Sequence, residues 1–100
     1  MTFVSLIFHP AALAEAKAAL QWYNQRSSQA SEAFLQEIDL GIEKIKRDPT
    51  SRLEFLPGIR RYLLRRFPFS LVYQINDNKE IHILAVAHAR RRPGYWKDRI

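Results

Sequence analysis

Phe69-Ser-Leu-Val-Tyr-Gln-Ile-Asn-Asp-Asn-Lys-Glu-Ile-His-Ile-Leu-Ala-Val-Ala-His88 reads as two strands joined by a tight turn. Phe69, Leu71, Tyr73 and Ile75 alternate with other residues, so a strand over 69–76 has one apolar face. Asn76-Asp77-Asn78-Lys79 supplies the turn, because Asn and Asp accept left-handed backbone angles. From Glu80 to His88 the middle of the run is apolar on both faces. That pattern suits a strand covered on both sides, so residues 80–88 are expected to be central in a sheet.

The residues before this hairpin complete an α+β fold. A short strand with charged flanks is expected over Arg60 to Arg66, interrupted by Phe67-Pro68. Residues 49–59, with Pro49, Pro57 and Gly58, read as a connector. Two helices precede it. The first runs from Ala11 to about Arg26, is rich in good helix formers, and follows Pro10, which fits a first helical turn. Leu13, Ala16, Leu20 and Tyr23 fall on one of its faces. Ser27-Ser28 breaks the pattern and offers capping hydroxyls.

The second helix is expected from about Ala30 to Arg47. Phe34, Ile38, Ile42 and Ile45 form its apolar stripe, and Glu32, Glu37, Asp39 and Glu43 lie largely off it. Lys44, Lys46 and Arg47 crowd its C-terminus, where cations suit the helix dipole, and Asp48-Pro49 stops it. Residues 2–8 open the chain as a strand. The expected order is β-α-α-β-β-β: a helical hairpin on a mostly antiparallel four-stranded sheet, one domain over residues 1–100. Where the first strand sits, and whether 90–100 are strand, helix or loop, stays open.

Composition narrows the function classes. The chain has no cysteine, which removes disulfides, thiolate nucleophiles and Cys-based zinc sites. No apolar run approaches the roughly 20 residues that span a bilayer, and Phe3 to Phe8 is too short for a signal-peptide core. A cytoplasmic protein without a membrane partner is expected. Residues 1–50 carry five Lys/Arg against six Asp/Glu, whereas 51–100 carry eleven against four. Positive potential is therefore concentrated in the second half, which favours an anionic partner there, either nucleic acid or an acidic protein segment.

The groups able to do chemistry cluster at the end of the last strand. His88-Ala-Arg-Arg-Arg-Pro-Gly-Tyr-Trp96 holds an imidazole, three guanidiniums, a phenol and an indole. Arginine forks match phosphate oxygens, and Tyr and Trp can stack on bases. The plainer alternative is a solubilising cluster with Tyr95 and Trp96 covering a sheet edge. His9, His82 and His88 form no metal motif, and no phosphate-binding glycine loop, dinucleotide fingerprint or nucleophile elbow is present, so neither metal nor cofactor is expected. Metal-free RNA cleavage would need a base, an acid and cations around the extra transition-state charge. His88 could be base or acid, Tyr95 an acid, and Arg60, Arg61, Arg65, Arg66, Arg90, Arg91 and Arg92 the cations. The two arginine groups would meet if their strands were neighbours.

With this layout, Phe8-His9-Pro10 to Tyr23, Gly58 to Ile75 and Ile83 to Trp96 together resemble the RelE/ParE toxins of bacterial type II toxin–antitoxin (plasmid stabilisation) modules. The resemblance covers nearly the whole chain and implies a growth-inhibiting toxin. It also implies a cognate antitoxin that wraps it in a hetero-oligomer, with an antitoxin helix on apolar surface beside the helical hairpin. RelE-like members cut mRNA on the ribosome, which would make His88, Arg61, Arg65 and Tyr95 catalytic. ParE-like members poison DNA gyrase without nuclease activity, which would make Arg60, Arg66, Arg90, Arg91, Arg92 and Trp96 part of a binding surface. The long helices, and a connector with only Arg52 as a cation between 48 and 59, favour the ParE-like reading. The runner-up readings are a ribosome-dependent endoribonuclease and a non-toxic binding module with this fold.

Overall fold

A computed structural model describes residues 5–100 of the chain. Its elements are β1 (Leu6–Phe8), α1 (Pro10–Asn24), α2 (Ser28–Arg47), β2 (Glu54–Leu56), β3 (Ile59–Leu63), β4 (Phe69–Ile75) and β5 (Ile81–His88), closed by a 3-10 turn at Lys97–Arg99. The strands form one sheet in the order β1-β5-β4-β3-β2. All neighbours are antiparallel except β1, which runs parallel to β5 with Ile7 opposite His82. Residues 2–4 of the expected first strand lie outside the described residues.

The sheet has five strands where four were expected. The extra one, β2, lies inside the segment read as a connector and has only three residues, too few for a period-2 signal. It is held by the turn that follows: Gly58 takes φ +76°, and its N–H donates to Glu54 Oε1 at 2.9 Å. The strand expected to reach Arg66 ends at Leu63. Glu37 explains the early stop. Its Oε1 accepts the backbone N–H groups of Arg65 (2.8 Å) and Arg66 (3.2 Å), so these amides turn towards α2 and leave the ladder.

Two caps set the helical hairpin. His9 Nδ1 accepts from Ala11 N at 3.0 Å with Pro10 opening α1, and Ser27 Oγ accepts from Ala30 N at 3.2 Å. In α2 the expected stripe is the buried one, with Phe34, Ile38 and Ile45 at 5% exposure or less. In α1 the expected face holds for Ala16, Leu20 and Tyr23, which pack against the core, but Leu13 is exposed and the buried positions are Ala12 and Ala19. Alanine dominates this helix all round, so its apolar face has little contrast in sequence.

The sheet is covered on both faces. Against the helices lie Tyr62, Leu71, Tyr73, Ile81, Ile83 and Val86. On the other face Ile59, Val72, Leu84 and Ala85 are covered by Trp96, which is 3% exposed. Residues after His88 thus turn back beneath the sheet and end in the 3-10 turn, which answers how 90–100 are folded. Among the described residues no helix is long and apolar enough to cross a membrane.

Candidate functional site

On the face away from the helices, the ends of the strands carry a small cavity of about 130 Å³. Arg61 reaches it from β3, Ser70 from β4 and His88 from the end of β5, while Arg91, Arg92 and Tyr95 come from the turn that follows. Pro93 and Gly94 (φ +78°) allow that turn to fold back onto the sheet. Arg61 lies opposite Val72 in the ladder, and its guanidinium stands 4.9 Å from the ring centre of Phe55.

His88 is tied at one nitrogen. Its Nδ1 accepts the N–H of Arg90 at 3.0 Å, so the neutral ring carries its proton on Nε2. The ring packs edge-on to Phe69, with centroids 5.0 Å apart. In this arrangement the neutral imidazole presents a donor, and the lone pair that a general base would use is taken.

Tyr95 lines the cavity with its ring, but its hydroxyl is tied. Its hydroxyl donates to Glu15 Oε2 at 2.8 Å. Burial, and next the bond to Glu15, push its pKa up to about 12 despite Arg91 and Arg99. The Arg91 guanidinium lies 3.9 Å from the Tyr95 ring centre. The same carboxylate accepts Val86 N (3.0 Å) and both terminal nitrogens of Arg99 (3.1 Å each). Arg99 Nη1 also donates to the carbonyl of Leu84 at 3.0 Å. Glu15 therefore pins α1, β5 and the C-terminal turn to one another.

The remaining expected residues divide into exposed cations and structural ones. Arg90, Arg91 and Arg92 are exposed on the turn. Arg60 faces the helix side of the sheet edge, where Nε donates to Arg52 O (2.7 Å) and Nη2 pairs with Glu54 (3.3 Å). Arg66 pairs through Nε with Glu37 at 2.8 Å. Arg65 is exposed in the β3–β4 link and does not line the cavity. The two arginine groups do not come from neighbouring strands, because β4 lies between β3 and β5; of the first group only Arg61 reaches the cavity. Trp96 meets Phe55 edge-on, 5.9 Å between centroids, and is too buried to offer a face to a base.

Sequence reasoning missed Glu15 and Glu37. Glu37 read as an acid off the apolar stripe and nothing in the sequence set Glu15 apart, yet each anchors an arginine and backbone N–H groups from distant segments. Burial pushes the Glu37 carboxyl up, but bonds from Arg66 and Arg65 outweigh it and hold the pKa below the ordinary value. Only a long-range partner distinguishes these two acids from their neighbours, and such partners lie 28 to 84 residues away. Among the described residues no group of three or more His, Asp or Glu side chains could hold a metal ion.

The geometry has known counterparts. A structure described as the chromosomal ParDE toxin–antitoxin system from P. aeruginosa superimposes with a TM-score of 0.74 at 26% identity, covering 88% of this chain and 98% of that one. A double arginine-to-alanine mutant of the E. coli toxin RelE in the free state gives 0.61 at 22% identity, covering 89% and 86%. The same mutant with an antitoxin RelBc peptide gives 0.52 at 22%, covering 97% and 95%. At that identity the RelE structures speak for the fold alone. No curated protein matches the sequence. The family model for the ParE toxin of the type II toxin–antitoxin system parDE matches residues 6–93, and the chain belongs to this toxin family.

Proposed function

We propose that the chain inhibits growth in the cytoplasm by binding DNA gyrase, and that a cognate antitoxin neutralises it. Family membership and the ParDE neighbour support the antitoxin partner. One observation favours a binding toxin over a nuclease: the acid and the base that RNA cleavage needs are both engaged within the fold. Both side chains line the basic cavity, but the Tyr95 proton is given to Glu15 and the His88 Nδ1 lone pair to Arg90, so neither atom is free for proton transfer in this arrangement. What the cavity offers is positive charge from Arg61, Arg91 and Arg92, suited to holding an anionic surface. Purified gyrase should lose supercoiling activity, or accumulate cleaved DNA, when the toxin is added. No effect at stoichiometric excess overturns this reading.

The second reading is a ribosome-dependent endoribonuclease. It is favoured by the convergence of His88, Arg61, Arg91 and Arg92 on one cavity. Under it, pulse expression stops protein synthesis before DNA synthesis and leaves mRNA cut at translated codons. His88→Ala and Arg61→Ala should then abolish toxicity, and full toxicity in both variants rejects it.

A further inference from the structure

The edge of the sheet beside α1 is incomplete. β1 covers β5 only as far as Ile83, whose carbonyl accepts the N–H of His9 at 2.9 Å, because the chain then turns into α1. Beyond that point β5 runs on for five residues with no strand on this side. The donation of Ala89 N to Pro68 O fixes which backbone groups face β4: those of residues 85, 87 and 89. The groups of Val86 and His88 therefore point the other way.

Two side chains and one backbone N–H take some of the exposed groups. Arg99 occupies the Leu84 carbonyl, Glu15 the Val86 N–H, and Arg91 N the His88 carbonyl. The Val86 carbonyl and the His88 N–H have no protein partner among the described residues. These two groups flank Ala87, and one residue of a parallel neighbour would satisfy both, giving its N–H to the first and accepting from the second. An antiparallel neighbour would instead need both the N–H and the carbonyl of Val86, and Glu15 holds the N–H. The bonding pattern left open continues the direction of β1.

This edge forms the floor of a groove of about 570 Å³, walled by Ala18 and Trp22 of α1 and by Pro68 and Phe69 at the start of β4. Trp22 is half exposed there. His88 and Arg91 line both this groove and the basic cavity, so they form the ridge between the two. A backbone edge, an apolar slot and a cationic rim together describe a seat for an extended peptide that carries an apolar side chain beside an acidic one.

We infer that an extended segment of the antitoxin completes the sheet at this edge. It runs parallel to β5 with one residue opposite Ala87, bonds Val86 and His88, places an apolar side chain between Trp22 and Phe69, and brings a carboxylate to Arg91. Neutralisation follows from the shared ridge, since the same segment withdraws His88 and Arg91 from the basic cavity. The inference rests on the antitoxin reading above.

The test uses the full toxin and the antitoxin encoded with it. Amide hydrogen exchange in the wild-type complex should show the His88 N–H slowed by about tenfold or more relative to free toxin. Ala18→Arg fills the groove from an exposed helical position and should weaken the complex by about tenfold or more, whereas Gln36→Arg on α2 should not. If wild-type toxin binds the antitoxin but His88 exchanges equally fast in both states, and Ala18→Arg binds normally, the seat is wrong and the antitoxin reading stands. If wild-type toxin does not bind the antitoxin, both fall.

Discussion

Glu37 and Glu15 show how one carboxylate can fix a junction that hydrophobic burial leaves undetermined. Glu37 lies in α2 and is almost buried, and it accepts three N–H groups from the β3–β4 link. Glu37→Gln keeps the shape but removes the charge and turns an amide N–H₂ towards donors. Its cost should be roughly 1–3 kcal/mol, lowering Tm by about 4–8 °C per kcal/mol for a domain of this size. Because the Glu37 pKa is depressed, its contribution is complete above the usual value of 4.5 and is lost as pH falls below it. Wild type should therefore lose stability on acidification in part through this group, and Glu37→Gln should flatten that slope in urea titrations at pH 6 and pH 3. Tyr95 acts at the opposite end of the scale. Its pKa is raised from 10 to about 12, so the protonated phenol is the form the fold prefers. Its stabilisation is present below pH 10 and is lost as pH rises towards 12. Tyr95→Phe should lower stability at neutral pH by about 1 kcal/mol and remove that alkaline step. A step of equal size in both proteins assigns it to another group.

At the scale of elements, the α2–β3 contact depends on a missing side chain. Gly41 lies in mid-helix, where glycine costs about 1 kcal/mol relative to alanine. A Cβ at this position would come 2.9 Å from the Tyr62 ring and 3.0 Å from Leu71. Tyr62 and Leu71 are core residues, and Tyr62 also carries Arg52 at 4.7 Å from its ring centre, so neither has room to move away. Gly41→Ala should therefore destabilise by about 1–3 kcal/mol despite its better helix propensity, as measured by the denaturant midpoint. A gain in stability would mean that α2 can shift outward. The same elements show what a sequence reveals. β4 and β5 were legible because their apolar residues are placed by burial on one face or two, and that pattern is local. The stripe of α2 was legible for the same reason. β2, the end of β3 and the burial of Ala12 and Ala19 in place of Leu13 were not. They depend on a turn closed by Glu54, on bonds from Glu37 and on alanines that look alike on every face. Among the candidate site residues, the sequence placed His88, Arg91 and Arg92 beside one another by adjacency alone. It could not show that Trp96 would fold inward, because an indole next to a basic run serves a core or a ligand equally well. Nor could it show that β4 would separate the two arginine groups.

For the molecule as a whole, the charge excess of the second half of the chain meets an open surface only in part. Arg60, Arg66 and Arg99 pair with Glu54, Glu37 and Glu15, so part of that excess is neutralised within the fold. Arg61, Arg90, Arg91 and Arg92 remain exposed at one end of the sheet. A surface of this kind steers an anionic partner from a distance, and the attraction weakens as salt shortens the screening length from about 10 Å at 0.1 M. If gyrase is the target, toxin inhibition of supercoiling should weaken as potassium chloride is raised. Arg61→Glu combined with Arg92→Glu should raise the concentration for half-inhibition by about tenfold or more, with circular dichroism unchanged because both side chains are exposed. The double variant should also respond less to salt than wild type, since the charges that salt screens have been removed. Equal inhibition by both proteins at every salt concentration would place the target contact away from the basic end, and the exposed apolar side chains of the helical hairpin, Leu13 and Leu35 among them, would be the next surface to alter.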